Sequence, residues 1–232
     1  MEKNITYPTP FAGVYIFLWL FPFIVCCLTA DAAWAKGLLV DDFEGQGIQN
    51  RLGGRTNVYV RAPSRVMMSR AMEDIQGRKT QALLVRYDKK SEGGPYNMGG
   101  WCGYYTLLKM PGYLVAPTSE NPSPAPVGEQ YLDGSKFQAI TFWVRGQTGQ
   151  ENFMVGLSDR HWDQVGDSVK SEEIGKYLSS GKLTTTWQKA VIPLNTYFVD
   201  FTKLASISIC FEGELFPEGS TGTIYLDDIM ME

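Results

Sequence analysis

Hydrophobic residues come in short bursts along this chain, at 38–43, 65–71, 81–87, 101–108, 137–145, 153–158, 187–193, 205–211 and 222–231. Clusters of Gly, Pro, Asn or Ser separate most of them. Runs of this length, bounded by turn residues, predict strands, and nine of them at regular spacing predict a sandwich or barrel rather than alternating β-α units. Helical periodicity is poor, and only short helical turns are expected, at 48–52 and 194–198.

Alternation within the runs predicts which side chains meet. In Ser206-Ile207-Ser208-Ile209-Cys210-Phe211, the Ile and Phe side chains share one face, and Ser206, Ser208 and Cys210 the other. Ile140, Phe142 and Val144 likewise oppose Thr141, Trp143 and Arg145. The same rule sends the carboxylates of Asp227 and Asp228 to opposite faces. It also separates Tyr104 from Tyr105, so one of that pair belongs to the core.

Two segments break the rhythm. Residues 11–28 are almost wholly apolar and lead into Ala33-Trp34-Ala35, the small-x-small pattern of a cleavage site. Residues 1–35 therefore read as a signal peptide, with an N-terminal membrane anchor as the alternative because the run is nearly long enough to span a bilayer. That leaves 36–232 as a single β-sandwich domain, secreted or placed in the periplasm or cell envelope. It would touch a membrane only through an uncleaved N-terminal segment. Residues 113–130, with Pro117, Pro122, Pro124 and Pro126, read as a surface loop, because the strand rhythm resumes after them.

Charge narrows the partners. Lys and Arg number 21 against 25 Asp and Glu, a net charge of −4, so no electrostatic case for nucleic acid arises. Cys102 and Cys210 both fall in predicted strands. In an oxidising compartment they are a candidate disulfide, against the alternative of two buried free thiols.

The chemistry begins with absences. His161 is the only histidine, and no Gly-x-Ser-x-Gly elbow, His-rich metal cluster or Walker loop is present. Glu92, Asp159, Glu172 and Glu173 lie in or near polar loops, where carboxylates are usually just solvated, so the chain reads as non-catalytic. The runs at 38–43 and 222–231 both break into carboxylates. If these terminal strands pair, Asp42, Glu44 and Asp227 are suitable oxygen ligands for a structural calcium, the alternative being that the acids blunt strand edges or accept turn hydrogen bonds; of Asp227 and Asp228, which face opposite ways, Asp227 is the choice. Finally, residues 93–105 and 158–164 mix aromatic, Gly and planar polar side chains. The C–H face of a sugar stacks on flat amphipathic rings while its hydroxyls take polar partners. Trp101, Tyr104, His161 and Trp162 are the candidate sugar-contacting residues, chosen by residue type.

Several segments, in order, resemble one family. Val40-Asp41-Asp42-Phe43-Glu44 followed by Asn50-Arg51-Leu52-Gly53-Gly54 is similar to the opening of galactose-binding-like β-sandwich modules, near family 11 and family 30 carbohydrate-binding modules. Gly103-Tyr104-Tyr105-Thr106-Leu107-Leu108, Ile140 through Gly146, Trp187-Gln188-Lys189 with Ile192-Pro193-Leu194, and Ile224 through Ile229 resemble their later strands. The resemblance implies an all-β jelly-roll sandwich of two antiparallel sheets. It also implies a structural calcium near Glu44 and Asp227, and a sugar cleft on the concave sheet or at the loops. Trp187 lies in a fold-signature strand and reads as structural. The expected function is that of an exported, non-catalytic polysaccharide-binding module. An envelope structural or assembly protein without a sugar site is the alternative, and a glycan-active hydrolase or lyase comes third.

Overall fold

The computed structural model describes residues 37–113, 126–212 and 218–232. The expected signal segment, residues 1–35, lies outside them. All nine predicted strands form: Leu38–Asp41 (β1), Arg65–Ile75 (β3), Arg78–Lys89 (β4), Cys102–Leu107 (β5), Ala139–Gly146 (β8), Met154–Asp159 (β9), Gln188–Pro193 (β11), Leu204–Phe211 (β12) and Ser220–Met231 (β13). Four more strands join them: Thr56–Val60 (β2), Met110–Tyr113 (β6), Pro126–Gln130 (β7) and Val169–Glu173 (β10). β6 pairs with β7, so the two ends of the expected surface loop form a ribbon.

One sheet runs β11-β8-β13-β4-β3, with β1 also paired to β13; the other runs β10-β9-β12-β5-β2. Their pairings are antiparallel, giving an all-β jelly-roll sandwich. The predicted alternation fills the space between the sheets. Val85, Phe142 and Val144 meet Tyr104, Val155, Ile207 and Ile209, all essentially fully buried. Tyr87 stacks on Phe211 with ring centroids 3.8 Å apart. Each such aliphatic or aromatic side chain contributes about 1.5–3 kcal/mol through burial.

Three expectations need correction. Cys102 and Cys210 are free thiols, not a disulfide. β12 registers Cys210 against Gly103 and Phe211 against Cys102, so the two thiols are offset by one residue and fall on opposite faces of the sheet. Burial pushes the Cys102 thiol up to about 12, which keeps it protonated. Second, Asp227 and Asp228 do not diverge. A register shift opens between Asp227 and Met230, with Asp228 at φ 48, and both carboxylates reach the Arg78 guanidinium. Third, the polar stretch after β9 is a helix, Arg160–Val165 (α1). Asp159 caps it by accepting from the Trp162 N–H, and Gly166 closes it in the left-handed conformation. Of the two expected helical turns, Leu194–Thr196 forms, while 48–52 instead carries a Gln49–Arg55 bridge.

Candidate functional site

The outward face of the five-stranded sheet collects the chemistry. On β5 the alternation turns Trp101, Gly103 and Tyr105 outward and Cys102, Tyr104 and Thr106 inward. On β2 it turns Asn57 and Tyr59 outward, and the register sets Asn57 beside Tyr105 and Tyr59 beside Gly103. The ladder continues one step further, as Arg61 N–H donates to the Trp101 carbonyl at 2.8 Å. The Arg61 guanidinium lies 4.6 Å from the centroid of the Trp101 ring, and makes no ion pair among the described residues. Trp101 is 37% exposed. Trp101, Tyr59 and Tyr105 thus form an aromatic strip whose ends on β5 are about 13 Å apart at the usual strand rise.

Beside the strip lies a layer of small and polar residues, buried except for the half-buried Ser206. Ser206, Ser208 and Cys210 of β12 form it, with Gly156 and Ser158 of β9. The Ser158 and Ser206 hydroxyls are 2.6 Å apart, and Ser208 Oγ lies 3.3 Å from Cys210 Sγ. Two glycines make this possible. A Cβ on Gly103 would stand 2.1 Å from the Ile209 carbonyl and 2.5 Å from the Tyr59 ring, so its absence lets Tyr59 lie over the sheet. A Cβ on Gly156 would stand 2.3 Å from both Ser168 Oγ and Ser208 Oγ.

The far wall is charged. Lys170 of β10 donates to Asp167 Oδ1 at 2.7 Å and pairs with Glu212 at 3.2 Å. Burial opposes the Lys170 charge, but the bond to Asp167 and the field of Glu212 outweigh it and hold its pKa above the usual lysine range. At Glu212 the balance goes the other way. Burial pushes its carboxyl above the ordinary glutamate range despite Lys170 and a hydrogen bond from Tyr59.

The four sequence candidates divide. Trp101 sits at one end of this face. Tyr104 is 1% exposed in the sandwich core, so it makes no surface contact; the outward partner is Tyr105. His161 and Trp162 lie on α1, which follows β9 at the opposite end of the sheet from Trp101. Their rings pack edge to face at 5.6 Å, with His161 exposed and Trp162 half-buried. Lys109 holds the helix by bonding Asp163 at 2.6 Å. Asp159, a loop carboxylate in the sequence, is taken up by the helix cap and by the Asp200 N–H. The strand carrying Tyr59 escaped the sequence reading. Its signal was Thr56-Asn57-Val58-Tyr59-Val60, a β-branched and aromatic alternation directly after Gly53-Gly54-Arg55.

Glu44 and Asp227 do come together. Glu44 Oε1 and Asp227 Oδ2 both approach the Thr80 hydroxyl, at 2.7 and 3.1 Å. Burial, reinforced by Asp228, raises the Asp227 carboxyl to about 6. Among the described residues, no group of three or more His, Cys, Asp or Glu is placed to hold a metal ion.

Residues 128–232 match the family model described as Carbohydrate binding domain 30. No curated protein matches the chain. Among solved structures, the chain is similar to the family 11 carbohydrate-binding module of a cellulosomal cellulase of Clostridium thermocellum. Sequence identity there is 14%, 85% of this chain and 94% of that one are covered, and the TM-score is 0.51. A family 11 module from the same organism, solved in complex with a beta-1,3-1,4-mixed-linked tetrasaccharide, is 14% identical over 85% and 96% of the two chains with a TM-score of 0.53. The structural likeness establishes the same sandwich, and the family match across residues 128–232 supports a carbohydrate-binding module.

Proposed function

We propose that this protein is exported and binds polysaccharide without turnover on the outward face of its five-stranded sheet. The carrying observation is the strip of Trp101, Tyr59 and Tyr105, with the Arg61 guanidinium at its end making no ion pair among the described residues. Flat rings on rigid strands offer stacking surface at little entropic cost, and Arg61 and the charged wall offer partners for sugar hydroxyls. His161 and Trp162 extend the same reading to the far end of the face. A pulldown on cellulose, xylan, mixed-linked β-glucan and pectin, followed by titration calorimetry, tests it. Saturable binding that falls in Trp101→Ala and Tyr105→Ala is expected. If the folded protein binds nothing in the panel, the reading fails and a structural or assembly role takes its place.

We also propose a structural calcium held by Glu44 and Asp227. The two carboxylates converge on the Thr80 hydroxyl and join the end of the β1 segment to β4 and β13, and the ion would take the place of the Arg78 guanidinium that bonds Asp227 Oδ2. Two carboxylates and a hydroxyl are fewer oxygens than calcium takes, so backbone carbonyls must complete the set. Calcium is expected to raise the melting temperature of the wild type and chelator to lower it, with neither effect in Glu44→Gln. Equal melting of the wild type in calcium and chelator would rule the ion out.

A further inference from the structure

The loop leading into Trp101 holds an aromatic ring out in solvent at a cost to its own backbone. Tyr96 sits at φ 59, ψ 18, and Asn97 follows at φ 56. Two consecutive non-glycine residues in the left-handed region are uncommon, and a bulky aromatic there is an outlier. Tyr96 is 92% exposed and the neighbouring Met98 76%, so no burial of these side chains offsets the strain.

The rest of the loop enforces the shape. Asn97 Oδ1 accepts from the Gly93 N–H at 2.7 Å, Gly99 N–H donates to the Gly93 carbonyl at 2.9 Å, and Gly100 N–H donates to the Lys90 carbonyl at 3.1 Å. The Gly93 and Gly94 backbone rests against Ala62 and Pro63, directly after Arg61, while Gly99 packs on Lys90 and Ser91. Tyr96 therefore rises from the same end of the sandwich as Arg61 and Trp101, on a rigid support. Strain kept up by surrounding bonds, around a side chain that the fold itself does not use, points to a ligand.

We propose that Tyr96 is a second stacking platform of the glycan site, taking a sugar ring beyond the one on Trp101, and so favouring longer chains. This rests on the polysaccharide-binding reading above. A ring already fixed in place loses little freedom when a sugar lands on it.

The test is calorimetry on wild type, Trp101→Ala and Tyr96→Gly, each with its melting curve. The probes are mixed-linked β-glucan, xylan and cellulose fragments, as short oligosaccharides and as long chains. Glycine accepts the left-handed conformation, so Tyr96→Gly should melt higher than wild type. It should bind short oligosaccharides as wild type does and lose roughly three- to tenfold on long chains, the range of one aromatic stacking contact. Trp101→Ala should lose both. If Tyr96→Gly binds long chains as tightly as wild type while Trp101→Ala does not, this proposal falls and the carbohydrate site stands. Wild-type protein that binds none of the probes sinks both.

Discussion

Each sheet of the sandwich carries an arginine over a tryptophan on its outward face, and the two are built to opposite ends. On the six-stranded sheet, Arg145 lies 3.6 Å from the Tyr225 ring centroid and 5.6 Å from that of Trp187. It also grips Glu73 through two bonds, at 2.7 and 3.1 Å. Both charged side chains are mostly covered, at 17% and 16% exposure, so the cluster is complete in itself. On the five-stranded sheet, Arg61 lies over Trp101 with no ion pair among the described residues and with the ring partly open to solvent. A bidentate arginine-carboxylate pair between stacked rings holds strands together. An arginine with free donors over an exposed ring has its hydrogen-bonding capacity left for something else. The same residue types thus serve the fold on one face and a ligand on the other, and the presence of the acid distinguishes them.

The sharpest way to break this contrast is to truncate each tryptophan. Trp101→Ala should weaken polysaccharide binding about ten- to a hundredfold while leaving the urea midpoint close to wild type. Trp187→Ala should do the reverse, costing about 2 kcal/mol in urea unfolding with affinity unchanged. Removing the acid comes next. Glu73→Ala leaves the mostly covered Arg145 without its counter-charge and should cost about 2 kcal/mol, again without loss of binding. Were Glu73→Ala to unfold no earlier than wild type, the closed cluster would not be structural.

A smaller effect is expected at Glu212. Its folded pKa is raised, so its contribution to stability is present below the unfolded pKa and is lost as pH rises through the raised folded value. Glu212→Gln should therefore melt with wild type in acid and higher at neutral pH, by about 0.5 kcal/mol, the scale of a surface substitution. A melting curve in which wild type gains on the variant towards neutral pH would reverse the sign. The smallest expected effect is none. Reductant should leave the melting temperature unchanged, because Cys102 and Cys210 are unbridged, and a drop would show that they are linked.

The sequence by itself determined nine of the strands, the core face of runs such as 140–144 and 206–211, and the class of fold. These are set by apolar periodicity and turn residues, which are local properties, and all nine predicted strands form where the periodicity puts them. It also brought Glu44 and Asp227 together correctly, because terminal strands carrying like patterns pair. What the tertiary structure decided was register and irregularity. One residue of offset between β5 and β12 separated Cys102 from Cys210, and the irregularity in β13 turned Asp227 and Asp228 onto one arginine. Tyr104 and Tyr105 are equivalent in composition, and only the direction of the core places the first inside and the second on the face. The aromatic strip pairs Asn57 with Tyr105 and Tyr59 with Gly103, residues more than forty apart in the chain. No local pattern encodes such a neighbour, because it arises only when distant strands find their register.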